Sequence, residues 1–100
     1  MIRLQIVEKR GANLHKKLKV AMNTGELKTL TTQKRGKKVT HTNKNYPGWM
    51  NWTSSQGVIC CEILSPNKPG EEWKLLDAFI GRMADKYSNE IHNINIQFED

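Results

Sequence analysis

The sequence lacks the motifs that identify most enzymes. Its seven glycines stand singly, so no glycine-rich loop can bring several backbone N–H groups close to a phosphate. Its three histidines, His15, His41 and His92, lie far from one another and from the two cysteines, and none has the spacing of a metal-ligand pair. We therefore expect no cofactor and no metal site, and the sequence does not favour an enzyme.

Cysteines and long apolar runs are also scarce. The only two cysteines, Cys60 and Cys61, are neighbours in an apolar stretch. Adjacent side chains of a strand point to opposite faces, which argues against a structural disulfide between them. Buried free thiols are typical of a reducing compartment. No stretch is long and apolar enough for a membrane span, and the residues after Met1 do not resemble a signal peptide. We predict a cytoplasmic protein that does not associate with membranes.

Acidic residues are rare in the first part of the chain, which makes the charge uneven. Residues 1–44 contain twelve lysines and arginines and two acids, which gives a charge of +10. The remaining residues contain four bases and eight acids, which gives −4, so the net charge of the whole chain is +6. This asymmetry indicates an anionic partner for the basic part. The alternative is that the lysines only keep exposed strands and edges soluble. The length of 100 residues is that of a single domain, residues 1–100.

Three segments have a clear periodicity, and a fourth, Val58–Leu64, is nearly continuously apolar. Apolar and polar residues alternate in Ile2–Ile6 and in Ile91–Phe98, as in strands with one buried face, and Val58–Leu64 is typical of a central strand. An apolar stripe at three- and four-residue steps predicts a helix from Glu71 to Tyr87, with Trp73 on its buried side. The strand–helix–strand unit predicts a crossover. Its two strands should be parallel, either as neighbours or with the first strand between them.

Residues Ala12–Met22 allow two interpretations. Leu14 and Leu18 share one face of a helix that Gly25 would end, but Leu18 and Val20 also alternate with lysines as in a strand. The strand interpretation is slightly better, because the segment contains a β-branched residue and lies between two turn-forming runs.

Large apolar residues are rare between residues 27 and 42. The threonine-rich runs Leu27–Gln33 and Lys37–Thr42 flank Arg35-Gly36, which predicts a hairpin with a tight turn. A hairpin with so little apolar surface should project from the sheet edge as a mobile wing. The next segment, Asn43–Gly48, is irregular, and Ser54–Gly57 contains another turn signal.

These elements predict an α+β fold. We expect an antiparallel, twisted sheet formed by a meander with a basic β-hairpin wing, packed by one long C-terminal helix that is followed by a final strand. The alternative, if residues 12–22 are helical, is a ferredoxin-like βαββαβ fold. One helix covers only one face of the sheet, so the other face must be polar, bind a ligand or pack against another chain. A homodimer is therefore one of the expected arrangements.

Cations and aromatic rings occur together between residues 28 and 52. Cations attract a phosphate backbone, and aromatic rings stack on unpaired bases. The alternative for Trp49 and Trp52 is that at least one of them folds back as a lid over the helix. The residues predicted to bind nucleic acid are Lys28, Lys34, Arg35, Lys37, Lys38, His41, Lys44, Tyr46, Trp49 and Trp52.

The favoured function is non-enzymatic binding of nucleic acid, either single-stranded DNA or RNA, because aromatic residues accompany the charge. The alternative is a small regulator or inhibitor, of the kind that acts between phage and host, that docks on an acidic surface of a partner protein. A less favoured hypothesis is a small ribonuclease, in which His41 acts as acid or base and nearby cations stabilise the charged phosphorane.

Overall fold

The computed structural model describes residues 1–33 and 37–99. They form one six-stranded sheet with the strand order β2-β3-β4-β5-β1-β6, in which every neighbouring pair is antiparallel. The fold is therefore α+β, as the sequence predicts. The elements in chain order are β1 (Ile2–Glu8), α1 (Leu14–Thr24), β2 (Leu30–Gln33), β3 (Lys38–His41), β4 (Trp49–Ser55), β5 (Val58–Leu64), α2 (Glu72–Lys86) and β6 (Ile91–Phe98).

The predicted crossover is present. β1 lies between β5 and β6 and is antiparallel to both, so β5 and β6 are parallel to each other on either side of it. α2 connects these two strands. The predicted bounds of β5 and β6 are confirmed, and α2 is one residue shorter at each end than the sequence predicts.

The interpretation of Ala12–Met22 as a strand is wrong, because α1 covers most of this segment. Leu14 and Leu18 are buried at helical spacing, whereas Val20, which a strand would place on the same face as Leu18, is 49% exposed. Gly25 ends the helix with a φ of 82°, in the left-handed region that favours glycine. The alternative fold therefore applies: β1, α1, β4, β5, α2 and β6 follow the βαββαβ order, and the β2–β3 hairpin is an addition before β4.

Both helices pack on one face of the sheet. The core combines alternate residues of the strands, such as Leu4 and Ile63, with Leu18 of α1 and Phe79 of α2, and all of them are fully buried. On the opposite face the side chains of the central strands are exposed at Gln5, Asn51 and Thr53, so no described element covers this face. We call it the open face.

The β2–β3 hairpin is confirmed. It forms the edge of the sheet next to β4 and has buried side chains, unlike the projecting wing that the sequence predicts. Leu30 and Val39 are buried in the core, and Thr32 and Asn23 of α1 are joined by a side-chain hydrogen bond of 3.1 Å. The hairpin has few apolar residues, yet two of them point to the helices. The predicted turn at residues 34–36 lies outside the described residues.

β4 is not predicted from the sequence, because only five residues separate the turn signal before it from the turn signal at its end. Pro47-Gly48 precedes the strand, and Ser54–Gly57 ends it. Within it, Met50 and Trp52 are buried and alternate with residues that point to the open face. This alternation places Trp49 and Trp52 on opposite faces of the sheet.

Candidate nucleic-acid interface

The open face is a polar surface with side chains arranged in rows across the strands. One row crosses five strands, from Lys38 through Asn51, Glu62 and Arg3 to Gln97. A shallow cavity of about 260 Å³ lies on the open face and is bordered by part of this row. The neighbouring open-face positions carry mainly hydroxyl and amide groups, from Thr31, Thr40, Thr53, Gln5, Asn93 and Asn95. Such groups can bond to the edges of a polar, planar ligand.

Lys38 and Trp49 form a cation–π pair on the open face. The Lys38 Nζ lies 4.5 Å from the centroid of the Trp49 ring, and the ring is half-buried. Their positions follow from the registers of β3 and β4, which pair Lys38 with Asn51 and Val39 with the buried Met50. Both residues are among those that the sequence predicts to bind nucleic acid, and the structure brings them together.

The charge in the middle of the open face is largely balanced. The Arg3 Nη2 lies 3.0 Å from Glu62 Oε2 and 3.5 Å from Glu99 Oε2. Among the described residues, Lys38 forms no ion pair with a carboxylate. The uncompensated positive charge of the row therefore lies at its Lys38 end, beside the aromatic ring.

A second cluster lies on the helix-covered side, in a cleft that we call the α2 cleft. It has a volume of about 540 Å³ and lies between α2, the end of β3 and the loop that follows β3. The His41 and Tyr46 rings stack there, with centroids 4.1 Å apart and an interplanar angle of 22°. Both rings are among the residues that the sequence predicts to bind nucleic acid, but Arg82 is not, because no sequence pattern links this residue of α2 to His41. The lining residues are Thr29, His41, Asn43, Tyr46, Asp77, Ala78, Gly81, Arg82 and Asp85.

His41 is held by a local turn. Its Nδ1 accepts a hydrogen bond of 2.9 Å from the Asn43 backbone N–H, so the neutral ring carries its proton on Nε2. Asn43 in turn accepts a 2.9 Å bond from the Asn45 N–H. Burial lowers the pKa of His41 below its ordinary value, and the nearby Arg82 guanidinium lowers this pKa further. The structure thus favours the neutral imidazole.

Trp52 does not present its ring to a ligand, which corrects its assignment as a stacking residue. It is 2% exposed and makes an edge-on contact with Phe79, with ring centroids 5.8 Å apart. The alternative, that at least one of the two tryptophans folds back as a lid over the helix, holds for Trp52 only in that its ring packs against α2, because Trp52 belongs to strand β4 and not to a lid. The prediction that Trp73 is buried is wrong, because its side chain is 54% exposed.

The structure therefore divides the predicted binding residues among several places. Lys38 and Trp49 share the open face, and His41 and Tyr46 share the α2 cleft. The remaining described cations, Lys28, Lys37 and Lys44, are exposed in or beside loops. The predicted wing residues Lys34 and Arg35 lie outside the described residues.

The two cysteines have opposite environments. Cys61 is buried in the core and Cys60 is half-buried on the open face, and both are free thiols. Burial raises the pKa of the Cys61 thiol.

Within residues 1–33 and 37–99, no group of three or more histidine, cysteine, aspartate and glutamate side chains could hold a metal ion. No helix in the same ranges has the length and apolar character needed to cross a membrane.

Comparison of the chain with known protein families, with curated proteins and with solved structures finds no match. The chemistry of the open face and of the α2 cleft is therefore the basis for a functional proposal.

Proposed function

We propose that the chain binds single-stranded nucleic acid on the open face. The observation that carries the proposal is the Lys38 ammonium beside the half-buried Trp49 ring, on a polar sheet surface that no described element covers. Lys38 attracts a phosphate, and Trp49 stacks on a base. The amides and hydroxyls of the adjacent rows are suited to bonding with base edges.

A single strand fits this surface better than a duplex. In a single strand the base faces and edges are accessible, whereas in a duplex the bases stack on one another and the protein must enter a groove. Trp49 is the only tryptophan, tyrosine or phenylalanine on the described part of the open face. We therefore expect stacking on one or two bases and an affinity that depends strongly on salt.

The direct test is the binding of labelled oligo(dT) and oligo(U) at two salt concentrations. Trp49→Leu should weaken binding by about 1–3 kcal/mol, the usual contribution of one stacked base. Lys38→Gln should weaken binding and also make it less dependent on salt. The slope of the logarithm of the binding constant against the logarithm of the salt concentration should become shallower by about 0.7 for each phosphate contact that is lost.

Two control variants separate the open face from the other side of the molecule. Lys16→Gln removes an equal charge from an exposed position of α1, and Tyr46→Leu removes the stacked ring of the α2 cleft. Both should bind like the wild type. Equal losses in the control variants would exclude the open face as the site. Wild-type binding that is weak and disappears near physiological salt would instead favour the regulator hypothesis, in which the partner is an acidic protein surface.

RNA cleavage is a second candidate, favoured by the position of Arg82 beside His41. Because the neutral ring carries its proton on Nε2, the His41 Nδ1 would have to release the Asn43 N–H before it could take the proton of a ribose 2′-hydroxyl. As the 2′-oxygen attacks the adjacent phosphorus, Arg82 would stabilise the charge of the phosphorane. The departing 5′-oxygen needs a proton from another group, for which the described lining offers the Tyr46 hydroxyl. Incubation of labelled RNA with the wild type and with His41→Ala tests this candidate, and an intact substrate would exclude it.

A further inference from the structure

β6 is a long edge strand without the usual protection. It contains eight residues, Ile91–Phe98, and none of them is lysine, arginine, aspartate, glutamate or proline. The opposite edge of the sheet, β2, has only four described residues. Edge strands are usually short or carry charges and prolines, because their unpaired N–H and C=O groups recruit other strands. β6 has neither safeguard along its length.

The helix-covered side of β6 is apolar and exposed. Ile96 and Phe98 pair with the buried Leu4 and Ile2 of β1, so they continue rows of the core beyond the last strand. Ile96 is 39% exposed and Phe98 is 74% exposed, because α2 packs over β1 and β5 and does not cover the outer part of β6. A row of core residues that ends in solvent indicates a surface that another chain covers.

Trp73 lies at the same corner of the molecule. The Met1 ammonium is 2.8 Å from the Glu99 carbonyl oxygen and 4.0 Å from the Glu72 carboxylate, so the first turn of α2 adjoins the end of β6. Trp73 follows Glu72 and is 54% exposed. We therefore infer that Trp73 extends the exposed apolar surface of Ile96 and Phe98, and we call these three residues the apolar patch.

We propose that β6 pairs in antiparallel fashion with β6 of a second copy of the chain. A two-fold axis perpendicular to the sheet would join two six-stranded sheets into one continuous sheet, with all helices on the same side. The backbone groups at the edge of each β6 then find partners, and the two apolar patches meet.

The sequence of β6 is complementary to itself in this arrangement. With the axis at Ile96, Ile94 lies opposite Phe98 of the other copy, and Asn95 lies opposite Gln97. Apolar residues then face apolar residues on the helix-covered side, and amides face amides on the open side. An axis placed between two residues would instead put each apolar residue opposite an amide residue of the other copy. The alternation of apolar and amide residues therefore favours the registers in which the axis passes through a residue.

Charge also favours a second copy as the occupant. The chain carries a net charge of +6, which opposes self-association in general, but β6 itself carries no lysine, arginine or acid. The acids at its two ends have partners within the chain, Glu90 with Lys17 and Glu99 with Arg3. A nucleic acid would require cations along this edge, and β6 offers none to it.

The exposed aromatic side chains supply part of the area that a stable dimer interface needs. Tryptophan and phenylalanine side chains bury about 150–250 Å² each when covered, so the exposed parts of Trp73 and Phe98 in two copies supply on the order of 500 Å². A stable interface buries about 1,200–2,000 Å² in total. With the axis at Ile96, residues 94–98 of the two copies pair directly, and their backbone together with Ile94 and Ile96 adds to this area.

Sedimentation equilibrium on the full chain over a range of concentrations tests the proposal. The wild type should associate to twice the chain mass of 11.5 kDa, and both Phe98→Glu and Ile96→Lys should shift it to the monomer. Val20→Lys is the matched control, because it puts a charge on an exposed apolar position of α1 away from β6, and it should remain dimeric. Circular dichroism shows whether each variant is folded.

Hydrogen exchange supplies a second measurement that does not depend on the variants. Amides at the outer edge of β6 should be protected at high protein concentration and lose at least tenfold protection at low concentration, while amides of β5 should not change. A wild type that is monomeric at every concentration would overturn the proposal. Dimers that persist in both Phe98→Glu and Ile96→Lys, or open-ended assemblies larger than a dimer, would also overturn it.

Discussion

Gly81 is the one glycine within a described helix, and the space around its side-chain position is open. A Cβ added there meets nothing within 4 Å, and the residue is exposed at the α2 cleft. Glycine in a helix interior costs about 1 kcal/mol relative to alanine. Gly81→Ala should therefore raise the free energy of unfolding by about 1 kcal/mol, as measured by urea denaturation.

Gly48 provides the contrasting variant for the same measurement. Its φ is 84°, and an added Cβ would overlap the carbonyl oxygen of Leu64. Gly48→Ala should lower the free energy of unfolding for both reasons. A loss of stability in Gly81→Ala comparable to that in Gly48→Ala would show that α2 cannot accommodate a methyl group at the cleft.

His41 makes stability depend on pH. Its folded-state pKa lies below the ordinary value of 6.5, so the unfolded chain binds the proton more readily and stability falls as the pH decreases through 6.5. Burial of the ring and the nearby Arg82 guanidinium lower this pKa. The hydrogen bond acts in the same direction, because a proton on Nδ1 would face the Asn43 N–H, which is itself a donor. The neutral amide of His41→Gln should reduce the loss of stability between pH 7.5 and 5.5.

Denaturation of both proteins at each pH measures this effect, and NMR titration of the ring gives the midpoint directly. His15 contributes in the same direction, because burial and the nearby Lys19 lower its pKa. Some pH dependence should therefore remain in His41→Gln. A His41 midpoint above 6.5 would contradict the hydrogen bond to Asn43.

Among the elements, the β2–β3 hairpin depends on a few buried side chains. Leu30 is fully buried on the helix-covered face of β2, the strand that contacts α1, so Leu30→Ala should lower the free energy of unfolding of the whole domain by about 2–5 kcal/mol. Gln33→Ala is the control on the same strand, because Gln33 is exposed, and it should change stability by less than about 0.5 kcal/mol. Similar small effects of both variants would mean that the hairpin is not part of the cooperative unit.

Much of the sheet is readable from the sequence because alternation has a period of two. β1 and β6 are predicted on this basis, and β5 is predicted from its nearly continuous apolar run. The buried residues of β1 and β5 recur at every second position, whereas no residue of β6 is fully buried. α1 is ambiguous, since Leu18 fits both a helix and a strand. Its identity is fixed by packing, because α1 covers the part of the sheet near β2 that α2 does not reach. Local pattern alone contains no information on that coverage.

The candidate site is less predictable than the sheet. Trp49 and Trp52 look equivalent in sequence, and only the strand between two turns places one on the open face and the other in the core. The residue types near His41 predict a basic neighbour, but Arg82 comes from α2 and reaches the α2 cleft through the tertiary fold. The sequence thus predicts the kind of chemistry, and the fold decides which residues share a surface.

At the scale of the whole molecule, the basic N-terminal part and the acidic C-terminal part of the chain contact each other through ion pairs. The ion pairs Arg3–Glu62, Arg3–Glu99 and Lys17–Glu90 each join the basic N-terminal part to the acidic C-terminal part. Such partly exposed pairs contribute only about 0–1 kcal/mol to stability. Their larger effect is on the electrostatic potential, because Glu62 and Glu99 cancel the charge of Arg3 on the open face.

Removal of one of these carboxylates should therefore strengthen the proposed binding at little cost in stability. Glu62→Gln raises the net charge from +6 to +7 and removes the shorter of the two ion pairs of Arg3, so that only Glu99 still compensates the guanidinium among the described residues. Affinity for oligo(dT) should increase most at low salt, and the salt dependence should steepen, because one more cation can contact phosphate. Asp85→Asn raises the net charge by the same amount at the α2 cleft, on the other side of the sheet. If the strand lies on the open face, Glu62→Gln must gain more affinity than Asp85→Asn, whereas equal gains would mean that binding follows the net charge and has no defined site.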